Sequence, residues 1–275
     1  MRIRLNARRP EALADFFVLA LGFERDRRDA RGVSLALGQT QVDVVGCDGQ
    51  PYPAYVPGWS PLFQHFAITT TDMAASMARL KAVGGWTAIT RDGPQRLPAN
   101  TGGVTAFKFC DPEGHPLELI AFPSEGAGTP PRIDHSAISV ADTQASVAFY
   151  QQLGLTIGGR SLNQGGEQDR LDDLTGVEVE VTALNLPGGG PHVELLCYRG
   201  DYRRTVALPE PDDVAATRLA WPTDQDNLAT AVPHQGACEA LTGGVLLIRD
   251  PDGHLLELSA RPGPSCAEGV KSQDR

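Results

Sequence analysis

Nowhere in the 275-residue sequence do about 18 apolar residues run together, so no segment is long enough to cross a bilayer as a helix. The start, Met1-Arg-Ile-Arg-Leu-Asn-Ala-Arg-Arg9, carries charges at positions 2, 4, 8 and 9 and lacks the apolar stretch of a secretory signal. A concentrated Lys/Arg patch is also missing, and the formal charge is −10. Nucleic-acid surfaces need gathered basic residues to displace counterions, so that class of partner is not expected. The five cysteines, Cys47, Cys110, Cys197, Cys238 and Cys266, are odd in number, widely spaced and without a C-x-x-C pair. They read as reduced thiols. The expectation is a cytoplasmic protein with a small-molecule substrate, no nucleic acid and no membrane among its partners, acting as a monomer or homodimer.

What is present points to repetition. An apolar share of 41% with 30 Gly and 21 Pro describes a globular chain with many turns, and its length has room for two ordinary domains. The segment Asp111-Pro-Glu-Gly-His-Pro-Leu-Glu-Leu119 returns as Asp250-Pro-Asp-Gly-His-Leu-Leu-Glu-Leu258. Each copy reads as a tight turn, with Pro fixing φ and Gly tolerating positive φ, that feeds a strand alternating Leu, Glu, Leu. A carboxylate among core leucines is costly unless paired or bound to a cation, so Glu118 and Glu257 are candidate ligands.

A unit of strand, amphipathic helix and two or three further strands occurs four times, at roughly 50 to 65 residues per unit. Module one begins with a strand at 2–7 and a helix opened by Pro10, with Leu13, Phe16, Phe17 and Ala20 at helical spacing. Module two begins at Gln64-His-Phe-Ala-Ile-Thr69, and module three at Asp134-His-Ser-Ala-Ile-Ser-Val140. Module four runs from Arg218 through a short helix near Leu228 to Val232 and ends on Leu255 to Ala260.

These modules, with a His early in a first strand, a Glu in a last strand and the Asp-Pro-x-Gly-His-x-x-Glu-Leu turn, resemble the vicinal oxygen chelate superfamily. That group includes glyoxalase I, extradiol dioxygenases, methylmalonyl-CoA epimerase and the bleomycin- and fosfomycin-resistance proteins. The resemblance implies an α+β fold of four βαβββ modules forming two cupped sheets. It also implies a first glyoxalase-like domain at 1–123 (modules one and two), a Gly/Pro-rich linker at 124–131, a second such domain at 132–262 (modules three and four) and a flexible tail at 263–275.

In this superfamily the first and last strands of each module aim one side chain apiece at the centre of a cup. The first-strand slot then holds Arg2 or Ile3, His65, His135 and Arg218 in modules one to four, and the last-strand slot holds Asp43, Glu118, Glu194 and Glu257. Pairing in sequence gives two sites with a single His each. Pairing two with three gathers His65, Glu118, His135 and Glu194 in one cup and leaves arginines in the other. Long segments at Arg91 to Gly102 and Gly159 to Gly176 belong to modules two and three, and loops of that length usually gate a site, which favours the second arrangement.

The implied metal ligands are His65, Glu118, His135 and Glu194, with Glu118 or Glu194 as the catalytic proton acceptor. The cofactor is a divalent ion: Zn, Ni, Co, Mn or Fe. The implied function is a metal-dependent isomerase, lyase or dioxygenase acting on a small oxygenated metabolite; the alternative is a metal-free drug- or metabolite-sequestering protein of the bleomycin-resistance kind. His115 and His254, directly after the turns, read as structural. Asp43, without a His in its module, is expected in an ion pair or in solvent, and Tyr198 and Phe107 in core packing.

Overall fold

A computed structural model of the chain describes residues 1–29, 31–200, 202, 207–224, 239–241 and 244–260. The helix expected near Leu228 to Val232, the tail at 263–275, and Cys238 and Cys266 lie outside the described residues. Cys47, Cys110 and Cys197 are free thiols.

Module one comprises β1 (Arg2–Ala7), α1 (Pro10–Leu21), β2 (Glu24–Asp29), β3 (Gly32–Leu37) and β4 (Thr40–Gly46). Module two comprises β5 (Gln64–Thr69), α2 (Met73–Val83), the short β6 (Thr87–Ala88) and β7 (Gln95–Arg96), then β8 (Thr105–Cys110) and β9 (Pro116–Ala121). Module three has β10 (Ile133–Ser139), α3 (Thr143–Gln152), β11 (Thr156–Gln164), α4 (Gly166–Asp172), β12 (Glu178–Asn185) and β13 (His192–Tyr198). Module four contributes β14 (Arg218–Thr223), β15 (Glu239–Leu241), β16 (Val245–Arg249) and β17 (Leu255–Ala260).

The segment 159–176, expected as a loop, is mostly regular. Strand β11 pairs with β12 along its length, and Asp169 fixes the exit of α4 by accepting the N–H groups of Gly176 and Val177, both at 2.9 Å. The charged β2 lies at the edge of its sheet and, among the described residues, pairs with β3 alone, so the charged side chains of Glu24 to Arg28 stay in solvent.

Helix boundaries follow local chemistry. Pro10 occupies the first turn of α1, and Gly22 closes it in the left-handed region. Asp72 and Asp142 cap α2 and α3 by accepting backbone N–H groups. The apolar stripe of α1, Leu13, Phe16, Phe17 and Ala20, is buried in a single cluster that also holds the core faces of both sheets and parts of α2 and α3. Each fully buried Leu or Phe there contributes about 1.5–3 kcal/mol. Phe17 stacks on Phe66 of β5, and Tyr150 of α3 lies against Trp221 of β14, so helices of one module bridge to the other sheet.

Modules one and four form one sheet, β15-β16-β17-β14-β1-β4-β3-β2, joined by the antiparallel β1–β14 pair. Modules two and three form the other, β11-β12-β13-β10-β5-β9-β8-β6 with β7 on β8, joined by antiparallel β5 and β10. The repeats therefore pair one with four and two with three.

The repeated turn holds the sheets together. Asp111 accepts the N–H groups of Glu113 and His115, and Asp250 does the same for Asp252 and His254. Gly114 sits at φ 101, where a Cβ would stand 2.6 Å from Tyr52, so no other residue fits. His115 Nε2 then reaches the Asn6 carbonyl of β1 at 3.0 Å, and His254 Nε2 the Ser139 carbonyl of β10 at 2.9 Å. Each turn histidine thus ties its own sheet to the other, away from both cups.

Candidate metal centre

Strand alternation decides what faces the second cup. In β5, Phe66 and Ile68 enter the core, so His65 and Ala67 face the opposite side; in β9, Leu117 and Leu119 enter the core and Glu118 faces the cup. Register then brings the halves together. Ala67 neighbours Glu118 on β9 and His135 on β10, while Ala137 neighbours Glu194 on β13 and His65 on β5. Two alanines at the centre leave space, with a His and a Glu placed on either side by an approximate twofold relation.

The distances are short. His65 Nε2 lies 3.0 Å from Glu118 Oε2, and His135 Nε2 lies 3.5 Å from the same oxygen and 3.6 Å from Glu194 Oε2. His65, Glu118 and His135 offer ligand atoms all within 4.8 Å of one another; Glu194 lies outside that group, with Oε2 3.6 Å from His135 Nε2. A second group, Asp134, His135 and His192, shares His135.

These residues fit a divalent ion. His135 Nε2 is buried and makes no hydrogen bond although two carboxylates face it, which is the environment of a ligand nitrogen with a cation between it and the anions. Its other nitrogen, Nδ1, is held by Asp134 at 3.1 Å, the carboxylate–imidazole contact that orients metal-binding histidines. Two imidazoles and two carboxylates suit ions of borderline hardness.

Electrostatics follow from burial and neighbours. Burial pushes the Glu118 carboxyl up, but His135, His65 and the Lys108 ammonium outweigh it and hold the group well below its ordinary range. Burial depresses the His135 imidazole, yet Glu194, Asp134 and Glu118 together carry it well above its ordinary value. For His65 burial wins and the pKa falls. Burial likewise raises Glu194, while His135 and His192 draw it to a net lower value.

Two features escape a reading of the sequence. His192 precedes Glu194 by two residues on β13, sits opposite His135 across the β10–β13 pair, and places Nε2 3.2 Å from Glu194 Oε1. Alternation along the strand is the signal for it. Lys108 is paired with Glu118 across β8 and β9 and is buried, its Nζ donating to Asp172 Oδ1 at 2.7 Å. Asp172 also accepts from Gln168 and Tyr198. A lone Lys between Phe107 and Phe109 is the only local signal for this network. Tyr198 thus combines the expected packing with a hydrogen bond, and Phe107 lies in the core.

The cavity over the centre is about 220 Å³. His65, Lys108, Glu118, His135 and Glu194 line its floor, and the long segments supply the rim, Leu97 and Thr101 from one and Asn163 and Gln168 from the other. The segments are fastened together: Arg91 donates through its backbone to the Arg170 carbonyl, and Arg170 Nε donates to Gln95 Oε1 at 2.7 Å. The counterpart slots in the first cup differ. Arg4 and Arg218 both hold Glu257 Oε1, at 2.6 and 2.9 Å, and Arg2 meets Asp43 Oδ2 at 3.3 Å. Ile3, the other candidate for the first-strand slot, lies in the core.

Residues 2–120 match the family described as Glyoxalase-like domain, and residues 132–258 match the Glyoxalase/Bleomycin resistance protein/Dioxygenase superfamily. No curated protein matches the chain in sequence. The fold is similar to that of glyoxalase I from Zea mays, with TM-score 0.61, 16% identity, and coverage of 94% of this chain and 91% of that one. It is also similar to a Bacillus subtilis protein provisionally assigned as a dioxygenase, with TM-score 0.55, 15% identity, and coverage of 95% and 84%.

Proposed function

Because the chain belongs to the vicinal oxygen chelate superfamily, the glyoxalase and dioxygenase group, we propose that its second cup is the active site of a metal-dependent isomerase or lyase for a small oxygenated metabolite. The supporting observation is the convergence of His65, Glu118, His135 and Glu194 around a buried imidazole nitrogen without a hydrogen bond. We assign those four as ligands. A bound divalent ion supplies Lewis acidity toward two neighbouring substrate oxygens, which acidifies the adjacent C–H.

The protein's own groups divide the remaining work. Glu118 is held by His65 and paired across the strands with Lys108, so it is an anchored ligand. Glu194 is less constrained, with its side chain 22% exposed and a single hydrogen bond to His192. We therefore assign Glu194 as the group that accepts the substrate proton, with His192 beside it to take or return that proton. The apolar wall of Leu97, Val104, Ile120 and Leu196 excludes water from the reacting carbon.

The test is solvent deuterium exchange at the carbon next to the carbonyl of α-hydroxycarbonyl compounds, followed by NMR with the metal-reconstituted protein. Exchange is expected, with a loss of about 10²–10⁴-fold in Glu194→Gln. Exchange equal in the variant would overturn the assignment of Glu194. Oxygen uptake with Fe(II) and a catechol would place the chemistry in the dioxygenase class instead.

One observation favours a second reading. Lys108 already sets a buried cation beside Glu118, so that carboxylate is compensated in a metal-free cup, which could then hold a drug or metabolite. Ligand binding that persists unchanged after chelation of all metal would select this sequestering role.

A further inference from the structure

The cup formed by modules one and four carries arginines where the other cup carries histidines, on a matching arrangement of strands. One cross-strand row on its inner face runs Arg27, Ser34, Asp43, Arg4 and Arg218 over β2, β3, β4, β1 and β14, with Arg2 beside it opposite Ala220. Arginines that lie in separate stretches of sequence are gathered by strand pairing. A cavity of about 90 Å³ opens over this row, lined by Arg2, Arg4, Arg27 and Arg31 together with Ser34 and Asp43.

We propose that this cavity is a binding site for a small oxyanion of the phosphate or carboxylate class, distinct from the candidate metal centre. Among the described residues, four guanidinium groups line it and Asp43 is the carboxylate that lines it, in a chain whose formal charge is −10. Glu257, which would otherwise add negative charge, is engaged by Arg4 and Arg218. Asp43 is engaged as well, accepting from Ser34 Oγ at 2.7 Å and meeting Arg2. Arg4 spends Nη1 on Glu257, while its Nε is buried without a hydrogen-bond partner, a donor that an anion in the cavity would satisfy. The volume of about 90 Å³ has room for a small oxyanion such as phosphate or a short carboxylate. The planar guanidinium matches such oxygens in pairs, which an ammonium cannot do.

Titration calorimetry with inorganic phosphate on the full chain, with sodium chloride at matched ionic strength as the control, tests the proposal. Saturable binding is expected in phosphate. Binding about tenfold weaker or more is expected in Arg2→Ala, and in the double variant Arg27→Ala/Arg31→Ala, which removes exposed side chains and leaves the sheet intact. Glycerol phosphate extends the test: tighter binding than inorganic phosphate places the anion on a larger molecule, and equal binding identifies the free ion. His135→Ala must bind phosphate like the wild type, which keeps this result separate from the metal reading. Absence of saturable heat with both phosphates, the same heat with chloride, or unchanged binding in the folded double variant would each overturn it.

Discussion

The two cups share a backbone plan, and their side chains solve the same electrostatic problem in opposite ways. Register makes the slots correspond: His65 to Arg2, His135 to Arg218, Glu118 to Asp43, Glu194 to Glu257 and Ala67 to Arg4. In both cups carboxylates stand on an inner sheet face, where they require a positive partner. The first cup supplies guanidinium groups from its own strands, so Glu257 is neutralised by Arg4 and Arg218. In the second, imidazoles occupy the corresponding places and an alanine stands where Arg4 stands, which leaves room for an ion. A difference of a few residues thus separates a candidate metal centre from a guanidinium–carboxylate cluster on the same strand order.

Removing the carboxylate partner of a buried cation is the harshest way to break this comparison. Asp172→Ala strands Lys108, whose side chain is 5% exposed, and should cost about 3–5 kcal/mol in urea unfolding. Glu257→Ala leaves Arg4 and Arg218 facing each other, but they are 27% and 12% exposed, and water screens them in part. A loss of about 2 kcal/mol is expected, with unchanged metal content.

His115→Gln tests the ties between the sheets and should cost about 1 kcal/mol. Burial lowers the His115 imidazole, but the charge and hydrogen bond of Asp111 raise it further, to a net value above the ordinary one. Protonated His115 therefore contributes its full stability below about pH 6.5 and loses it as pH rises through the raised value. The difference between wild type and variant in urea midpoint should shrink on going from pH 6 to pH 8. The smallest effect belongs to Arg2→Ala: its partner Asp43 keeps Ser34, and Arg2 is 40% exposed, so stability should stay within about 1 kcal/mol.

The parts of the molecule legible in the sequence are those written in a repeated frame. The turn at Asp111 and Asp250 marks the strands that carry Glu118 and Glu257, and His65 and His135 stand out because they fall at matching places in two modules. Residues whose role arises from contact across modules are not legible in that way. Lys108 matters because Asp172 of another module reaches it, and His192 because β13 lies against β10. Arg2, Arg4, Arg27 and Arg31 look dispersed along the chain, and only pairing of β1, β2, β3 and β4 brings them to one cavity. Strand pairing order is itself a long-range choice. Its local traces are that only modules two and three carry both a His and a Glu, and that the long segments 91–102 and 159–176 belong to the same two modules.

The most direct test is metal content after dialysis against Zn²⁺, Ni²⁺ or Co²⁺, compared between wild type, His65→Ala, His135→Ala and Arg218→Ala. One tightly held ion per chain is expected in wild type and Arg218→Ala, and a loss in both histidine variants. Equal content in all four proteins, or none in the wild type, would contradict it.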